Sequence, residues 1–254
     1  MSKFDIANKV AIITGGGIGI GRAITLEFSR AGADVTIASR NLGNLEKVAK
    51  EVDSLGKRCL AVATDVRIPE QVDNMVRRTV DEFGRIDILV NNAGVSFLCP
   101  VEELTPNGWD AVVDINLKGT FLCSKAVGKV MIQQKGGKII NIASMAGVYG
   151  APTMAHYAAA KAGVINFTKS LAAEWGKHNI FVNCIAPGLI ETEGVKTQMK
   201  LEPERVKETL ERTVAVARYG QPEEIAYTVI FLASEASSFI TGETVEVEGG
   251  YIRA

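Results

Sequence analysis

A short apolar run that leads directly into a cluster of glycines limits the folds open to this chain more than any other feature. Residues 9–14 read KVAIIT, several glycines follow, and an amphipathic segment extends from about Ile20 to Ala31. This pattern predicts a strand, a tight turn and a helix. Glycines let the backbone approach a pyrophosphate at a helix N-terminus, where unpaired N–H groups and the helix dipole favour anions. The turn is therefore predicted to bind a nucleotide through Gly15, Gly17, Ile18, Gly19 and Ile20.

The rest of the chain alternates between strand patterns and helix patterns. Further strands are predicted at 33–40, 57–65, 86–94, 138–144, 179–187 and 243–250. Helices are predicted at about 43–56, 69–84, 106–134, 203–215 and 222–235. This alternation indicates an α/β fold with a parallel sheet. No Pro/Ser-rich linker, charge block or internal repeat interrupts the 254 residues, so we expect one domain over 1–254, with a polar substrate lid near 188–215.

Composition and charge argue against several classes of function. Hydrophobic residues make up 47% and charged residues 22%, which is typical of a globular chain with a buried core. The net charge of −1 provides no basic field for nucleic acid or an anionic membrane, so the expected partners are small molecules. MSKFDIANK lacks a signal-peptide core and no apolar run approaches the roughly 18 residues of a membrane span, so a cytoplasmic location is expected. The four cysteines lack CxxC spacing and the two histidines are far apart, so no metal site is expected.

The ends of the second and third strands should meet the adenosine half of a dinucleotide. An acidic residue after the second strand would bind ribose hydroxyls and repel a 2′-phosphate, but this chain has Ser39 and Arg40 there. Arginine offers a fork of donors matched to phosphate, so NADP(H) is favoured over NAD(H). Asp65 and Val66 end the third strand, where the carboxylate would either accept a hydrogen bond from the adenine amino group or cap a helix.

The fourth strand runs into small polar residues. Asn91 and Asn92 are expected to be buried, and buried amides need hydrogen-bond partners, so they would lock neighbouring strands together. The same backbone would form the floor beneath the cofactor ribose, with Asn92, Ala93 and Gly94 in contact and Gly94 permitting close approach. Residues 95–104 then resemble a loop that lines one side of a pocket.

Tyr157 and Lys161 stand four residues apart in an alanine-rich stretch that is compatible with a helix. One helical turn places both on the same face, where a cation beside a phenol favours the phenolate. Such a pair is usually found on a surface. Here the stretches 14–21, 91–94 and 141–144 are each predicted at the C-terminal end of a strand, where open parallel sheets bind ligands. Their convergence indicates a proton donor with a neighbour that tunes its pKa.

Two more polar residues fall at positions that need an explanation. Asn116 lies in the middle of the helix predicted over 106–134, although asparagine is a mediocre helix former. It would be either a satisfied core amide or the residue that holds a water beside Lys161. Ser144 is left at the C-terminal edge of the sheet by the strand 138–144.

These motifs together resemble the short-chain dehydrogenase/reductase family over almost the whole chain. The resemblance rests on TGGGIGIG at 14–21, Asp65, NNAG at 91–94, Asn116, Ser144, Tyr157, Lys161, PG at 187–188 and GG at 249–250. It implies a single doubly wound Rossmann domain, with a seven-stranded parallel sheet in the order 3-2-1-4-5-6-7 and helices on both faces. It also implies a homotetramer formed through the helices that contain Asn116 and Tyr157 and through the last strand.

The resemblance also implies a role for each matching residue. Tyr157 corresponds to the acid that protonates a carbonyl oxygen as hydride arrives from the nicotinamide. Lys161 resembles the residue that lowers the tyrosine pKa and holds the nicotinamide ribose. Ser144 corresponds to the residue that hydrogen-bonds the substrate oxygen, and Asn116 corresponds to the residue that anchors a water in the proton relay. The backbone around Ile190 and the hydroxyl of Thr192 resemble the elements that hold the carboxamide, and Pro187 and Gly188 are the remaining cofactor contacts implied.

The choice of substrate is less sharply indicated. ASRN at 38–41 and the segments around Tyr157 and Pro187 resemble 3-oxoacyl thioester reductases and the branch of dienoyl- and enoyl-CoA reductases, but the latter lack the tyrosine. An NADPH-dependent ketone reductase is therefore expected, with 3-oxoacyl thioesters among its candidate substrates. The alternatives are a dehydrogenase of a cyclic alcohol, sugar or steroid, and a regulator that binds NADP without catalysis. Lys196 and Lys200 in the lid are expected either to be solvated or to meet thioester phosphates.

Overall fold

The computed structural model describes residues 2–194 and 203–250 of the chain. Seven parallel strands form one sheet in the order β3-β2-β1-β4-β5-β6-β7, which confirms the predicted order. The strands are β1 Val10–Thr14, β2 Asp34–Ser39, β3 Cys59–Ala63, β4 Ile88–Asn91, β5 Gly137–Ile142, β6 Ile180–Pro187 and β7 Thr244–Val247. Several are shorter than predicted, because the chain leaves the ladder near the C-terminal edge and its following residues line a cavity instead.

Helices cover both faces of this sheet, as predicted. They are α1 Gly19–Arg30, α2 Leu42–Ser54, α3 Pro69–Phe83, α4 Pro106–Val113, α5 Gly119–Gln134, α6 Met145–Tyr149, α7 Ala155–Trp175, α8 Pro203–Thr213 and α9 Pro222–Ala233. Within the described ranges, no helix combines the length and the apolar character that a bilayer crossing requires. The lid predicted near 188–215 includes residues 195–202, and with them Lys196 and Lys200, which lie outside the described residues.

The central strands are apolar on both faces because each face packs against a layer of helices. Ala11 and Ile13 of β1 point into a core shared with α1, α2 and α9, in which Phe28 is fully buried. Ile12, between them, points into the opposite core with α3, α5 and α7, where Val127 is fully buried. Two-sided burial explains why β1 is a continuous apolar run rather than an alternating one.

The helix predicted without interruption over 106–134 is divided by a five-residue π-helical segment, Asp114–Lys118. Asn116 lies in its middle and is fully buried. The side-chain amide of Asn116 donates to the Val112 carbonyl at 2.9 Å and to the Val95 carbonyl at 2.8 Å, so it competes with the backbone for a carbonyl of the preceding turn. This competition accounts for the locally wider helix, a feature that is frequent at functional sites.

Candidate functional site

A cavity of about 1080 Å³ opens at the C-terminal edge of the sheet. It spans the junction of β1 and β4, where the strand order reverses and where doubly wound sheets bind ligands. The predicted site residues that line it are Gly15, Gly17, Ile18, Gly19, Ile20, Ser39, Arg40, Asp65, Val66, Asn92, Ala93, Gly94, Ser144, Tyr157, Lys161, Pro187, Gly188, Ile190 and Thr192. Asn116 is the predicted site residue that stands behind this wall rather than in it.

The glycine turn forms a backbone cradle at the N-terminus of α1. Gly15 has a φ of +69° and donates its N–H to the Ala38 carbonyl at 2.7 Å. A Cβ on Gly21 would lie 2.1 Å from the Gly15 carbonyl oxygen, so the turn can close this tightly only with glycine there. In the described part of the chain, no side chain caps α1 at Ile18 and its first turn contains no acidic residue. The first N–H groups of α1 thus suit an anion such as a pyrophosphate.

The adenosine end of the cavity contains Ser39, Arg40 and Asp65. Ser39 donates its hydroxyl to the Asn41 carbonyl at 3.2 Å, while Arg40 is exposed at the rim. The Arg67 guanidinium bonds both oxygens of Asp65, at 3.0 and 2.6 Å, and these bonds hold the pKa of that carboxyl below its usual value, with a smaller contribution from the Arg40 charge.

Asp65 is not the cap of the following helix, which was one of its two predicted roles. α3 begins after Ile68, and no side chain in the described residues caps it. The Asp65 carboxylate instead accepts the Arg67 backbone N–H at 3.0 Å within the connecting turn. It remains a wall of the cavity, as the other interpretation requires.

Thr14 joins the ends of β1 and β4 beneath the middle of the cavity. Its hydroxyl accepts the backbone N–H groups of Asn92 and Ala93, both at 3.0 Å, and its carbonyl accepts the Asn92 side-chain amide at 2.9 Å. The sequence interpretation missed this residue, although a buried polar residue at the end of an otherwise apolar strand was the available signal. Other lining residues that it did not assign are Ala38, Asn41, Leu42, Asn44, Thr64, Ile115, Ile142 and Ala143. The lining also includes members of the predicted glycine turn, pocket loop and lid, namely Gly21, Val95, Ser96, Glu193 and Gly194.

Gly94 separates the cavity from Asn116. A Cβ on Gly94 would lie 2.7 Å from Asn116 Oδ1 and 3.5 Å from Lys161 Nζ. Asn116 Oδ1 is buried and has no hydrogen-bond partner among the described residues. A buried carbonyl oxygen without a partner is costly, so this atom is suited to accept a hydrogen bond from a water.

Tyr157, Lys161 and Ser144 meet at the other end of the cavity. Lys161 Nζ lies 5.6 Å from the centroid of the Tyr157 ring and donates to the Ile142 carbonyl at 2.7 Å. Ser144 caps α6 by accepting the Ala146 N–H at 3.2 Å. Its extended backbone places it at the end of β5, and both Ser144 and Tyr157 line the cavity.

Burial dominates the pKa of both ionisable groups at this end of the cavity. Burial raises the pKa of Tyr157, and the nearby Ser144 hydroxyl offsets this only in part. Burial also lowers the pKa of Lys161 to about 8, so its ammonium is retained at neutral pH. The acidification of the phenol by Lys161 and a cationic nicotinamide ring stays a prediction, because burial is the dominant influence on Tyr157 in this structure. A buried phenol that keeps its proton at pH 7 is suited to donate it.

The segment after β6 closes the cavity over the glycine turn. Gly188 donates to the Val247 carbonyl at 3.0 Å, and the Glu191 N–H donates to the Gly220 carbonyl at 2.8 Å. A Cβ on Gly19 would lie 3.5 Å from the Thr192 methyl group, so the two walls are close together. In the described ranges, no group of three or more His, Cys, Asp or Glu side chains could hold a metal ion. The cradle, the polar rim and the two hydroxyls beside an ammonium fit a dinucleotide and a proton transfer next to it.

Comparisons with known proteins agree with this geometry. A family model described as enoyl-(acyl carrier protein) reductase matches residues 16–252. The 3-oxoacyl-[acyl-carrier-protein] reductase FabG of Thermotoga maritima is 40% identical over 247 residues, which cover 97% of this chain and 99% of that protein.

Two solved structures have the same fold. A protein classed as an NAD(P)-dependent gluconate 5-dehydrogenase from Beutenbergia cavernae, with NADP bound at low occupancy, has a TM-score of 0.91 at 34% identity, with 98% of each chain covered. A 7α-hydroxysteroid dehydrogenase complexed with NADH and 7-oxo glycochenodeoxycholic acid has a TM-score of 0.94 at 32% identity, with 99% of this chain and 97% of that chain covered.

Proposed function

Because the chain belongs to the short-chain dehydrogenase/reductase family, whose members act on CH–OH and C=O groups, we propose that it reduces a ketone to a secondary alcohol with NADPH. The observation that carries the proposal is the meeting of Tyr157, Ser144 and Lys161 at one end of a cavity whose other end is a glycine cradle. NAD(P) binding follows from the family, whereas the preference for NADPH and the roles of individual residues belong to the proposal.

Bound NADPH would supply the hydride that reduces the carbonyl carbon. The N–H groups at the start of α1 would hold its pyrophosphate, Ser39 and Arg40 its 2′-phosphate, and Lys161 its nicotinamide ribose. Ile190 and Thr192 would orient the carboxamide. These contacts would place the reacting ring at the end of the cavity that contains the two hydroxyls.

Tyr157 donates its phenolic proton to the substrate oxygen as negative charge develops there, and Ser144 stabilises the same oxygen with a hydrogen bond. The raised pKa leaves Tyr157 protonated at neutral pH but makes it a weaker acid, so proton transfer requires that the phenolate be stabilised. The nearby Lys161 ammonium stabilises the phenolate once the proton has left. A water held by Asn116 Oδ1 would return the proton.

Arg40→Ala tests the cofactor preference. We expect the Kd for NADPH to rise roughly 10- to 100-fold, because charge-assisted hydrogen bonds contribute about 1.5–3 kcal/mol. The Kd for NADH should stay within about twofold, since NADH has no 2′-phosphate. Fluorescence titration with both cofactors provides the measurement. Arg77→Ala is the control, because Arg77 is exposed on α3 and bonds Asn74 away from the cavity. An equal loss of NADPH and NADH affinity would contradict the proposed role of Arg40.

The substrate side of the cavity supports an apolar ketone. Val95 and Ser96 line it, and in the same loop Phe97 and Leu98 are 37% and 57% exposed to solvent. An acyl chain would find apolar contacts along this loop, and the FabG relative is named for 3-oxoacyl reduction. We therefore propose a 3-oxoacyl thioester as the substrate.

A substrate panel followed by NADPH absorbance tests this choice. The expected result is a kcat/KM for a 3-oxoacyl thioester at least about tenfold above those for a cyclic ketone, a keto sugar acid and an oxosteroid, a ratio that one or two apolar contacts can produce. The similarity to gluconate and steroid dehydrogenases supports the alternative, oxidation of a cyclic alcohol, sugar or steroid. A higher kcat/KM for one of those alcohols with NAD(P)⁺ would favour it. NADPH binding without turnover of any substrate would indicate a regulator.

We also propose that the protein is a cytoplasmic homotetramer. Its support is apolar surface on the elements expected to form the contacts: Phe121 on α5 is 42% exposed, and Phe239, just before β7, is fully exposed.

A further inference from the structure

Two buried asparagines lie side by side in the centre of the sheet, directly beneath the catalytic end of the cavity. Asn91 of β4 and Asn141 of β5 are register partners, and their side chains are 4% and 0% exposed. The Asn91 amide donates to Asn141 Oδ1 at 2.8 Å. Neither residue lines the cavity, and the proposed mechanism uses neither of them.

The pair is bonded at one end to α5, which follows the π-helical segment that carries Asn116, and at the other end to α7, which carries Tyr157 and Lys161. Asn91 Nδ2 donates to Ser124 Oγ of α5 at 2.9 Å, and Asn141 Nδ2 donates to Thr168 Oγ1 of α7 at 2.9 Å. Thr168 in turn donates its hydroxyl to the Val164 carbonyl at 2.8 Å, so one oxygen ties Asn141 to the backbone of α7. Ser124, Asn91, Asn141 and Thr168, named here the asparagine bridge, form one continuous chain of buried hydrogen bonds.

The ends of the asparagine bridge lie about two helical turns from the catalytic groups. Thr168 follows Lys161 by seven residues on α7, so the two share one face of that helix, and Ser124 follows Asn116 by eight residues across the end of the π-helical segment. Lys161 is itself bonded to the Ile142 carbonyl of β5 at 2.7 Å. The helix α7 is thus attached to β5 at two points, one in the site and one beneath it.

We propose that Asn141 and Thr168 are positioning residues, which fix the register of α7 on β5. They thereby set how far Tyr157 and Lys161 of α7 lie from Asn116. The inference rests on the proposed ketone reduction. A helix with one attachment can slide or rotate slightly, whereas two attachments two turns apart fix both its translation and its rotation. Displacements of about 1 Å are enough to reduce catalysis by about 100-fold.

Thr168→Val tests the inference because it removes the hydroxyl and nearly preserves the shape. We expect kcat to fall about 10- to 100-fold, with the KM for NADPH within about twofold of wild type. Thr168→Ser, which restores the hydroxyl, should recover most of kcat. If Thr168→Val fails to fold, Ser124→Ala at the other end of the asparagine bridge replaces it as the test, and it should lower kcat in the same way.

Thr79→Val is a closely matched control. Thr79 is also 0% exposed, donates to its i−4 carbonyl (Met75) at 2.8 Å, and bonds one side chain, Thr36, at 3.0 Å, but it joins α3 to β2 away from the cavity. Its variant should lose stability similarly, measured as Tm, without losing kcat. Equal kcat values for Thr168→Val and Thr79→Val would overturn the inference.

A double variant separates this inference from the proposed function. If Tyr157 is the proton donor that the asparagine bridge positions, Thr168→Val should lower kcat much less in a Tyr157→Phe background than in wild type. Full activity in Tyr157→Phe alone would refute the proposed function. Loss of activity in Tyr157→Phe, together with wild-type kcat in Thr168→Val and Ser124→Ala, would refute the positioning role alone.

Discussion

Replacing Tyr157 with phenylalanine should lower kcat for ketone reduction by about 10²- to 10⁴-fold, the usual contribution of a positioned general acid. The variant keeps the ring and loses only the phenolic hydroxyl at the end of the cavity that contains Ser144. The Kd for NADPH should remain within about twofold, because the phosphate cradle and Lys161 are unchanged. Single-turnover kinetics and a fluorescence titration measure the two quantities separately.

Tyr227→Phe is the matched control for this experiment. Tyr227 is 56% exposed on α9 and does not line the cavity, so its hydroxyl should contribute nothing to turnover. Wild-type kcat in Tyr157→Phe would exclude the phenol as the proton donor. A parallel loss in both variants would instead point to a general effect of removing a tyrosine hydroxyl.

Gly21→Ala should raise the Kd for NADPH by about 100-fold or more. The added methyl carbon would lie 2.1 Å from the Gly15 carbonyl oxygen and 2.5 Å from Asn92 Nδ2, so the start of α1 must move away from the turn. Two charge-assisted bonds to the pyrophosphate, each contributing about 1.5–3 kcal/mol, would be stretched or lost. Isothermal titration with NADPH gives the affinity, and thermal unfolding gives the accompanying loss of stability.

Gly176→Ala distinguishes this collision from a general cost of replacing glycine. Gly176 has helical angles, φ −55° and ψ −36°, and a Cβ there would meet nothing within 4 Å. Alanine should be neutral or slightly stabilising at such a position, with NADPH affinity unchanged. If Gly21→Ala and Gly176→Ala bound NADPH with equal affinity, the glycine turn would not be part of the NADPH-binding site.

The outline of the site could be predicted because parallel strands bring their C-terminal ends to one edge. Residues that follow β1, β2 and β4 therefore become neighbours even though they are far apart in the sequence. The glycine turn, Arg40 and Gly94 all line the cavity for this reason. The spacing of Tyr157 and Lys161 on one helix predicted their common direction equally well.

Properties that depend on the surroundings of a side chain could not be predicted in this way. The direction of the Tyr157 pKa is set by burial, and burial depends on how α6, α7 and β5 pack. Asp65 accepts hydrogen bonds from the backbone and the guanidinium of Arg67, two residues later. Which donors reach this carboxylate depends on the geometry of the turn that connects them. Asn116 is unusual in a helix, but its bond to the Val95 carbonyl, more than 20 residues earlier, could not be predicted from the helix pattern.

The asparagine bridge illustrates the same limit. Asn91 could be predicted to lock strands together, since a buried amide needs partners. Its bond to Ser124, and the bond of Asn141 to Thr168, connect residues 33 and 27 positions apart on different elements. Such pairings follow from strand order and helix packing together, so they become visible only once the fold is known.

A crystal structure of the ternary complex with NADP⁺ and the ketone substrate tests the central claim most directly. The account predicts the Tyr157 hydroxyl and the Ser144 hydroxyl about 2.6–3.2 Å from the ketone oxygen, with Lys161 Nζ bonded to the nicotinamide ribose. The proposed mechanism would be contradicted if the ketone oxygen lay out of hydrogen-bond reach of Tyr157. In that case either another proton donor of the chain, or none, would contact that oxygen.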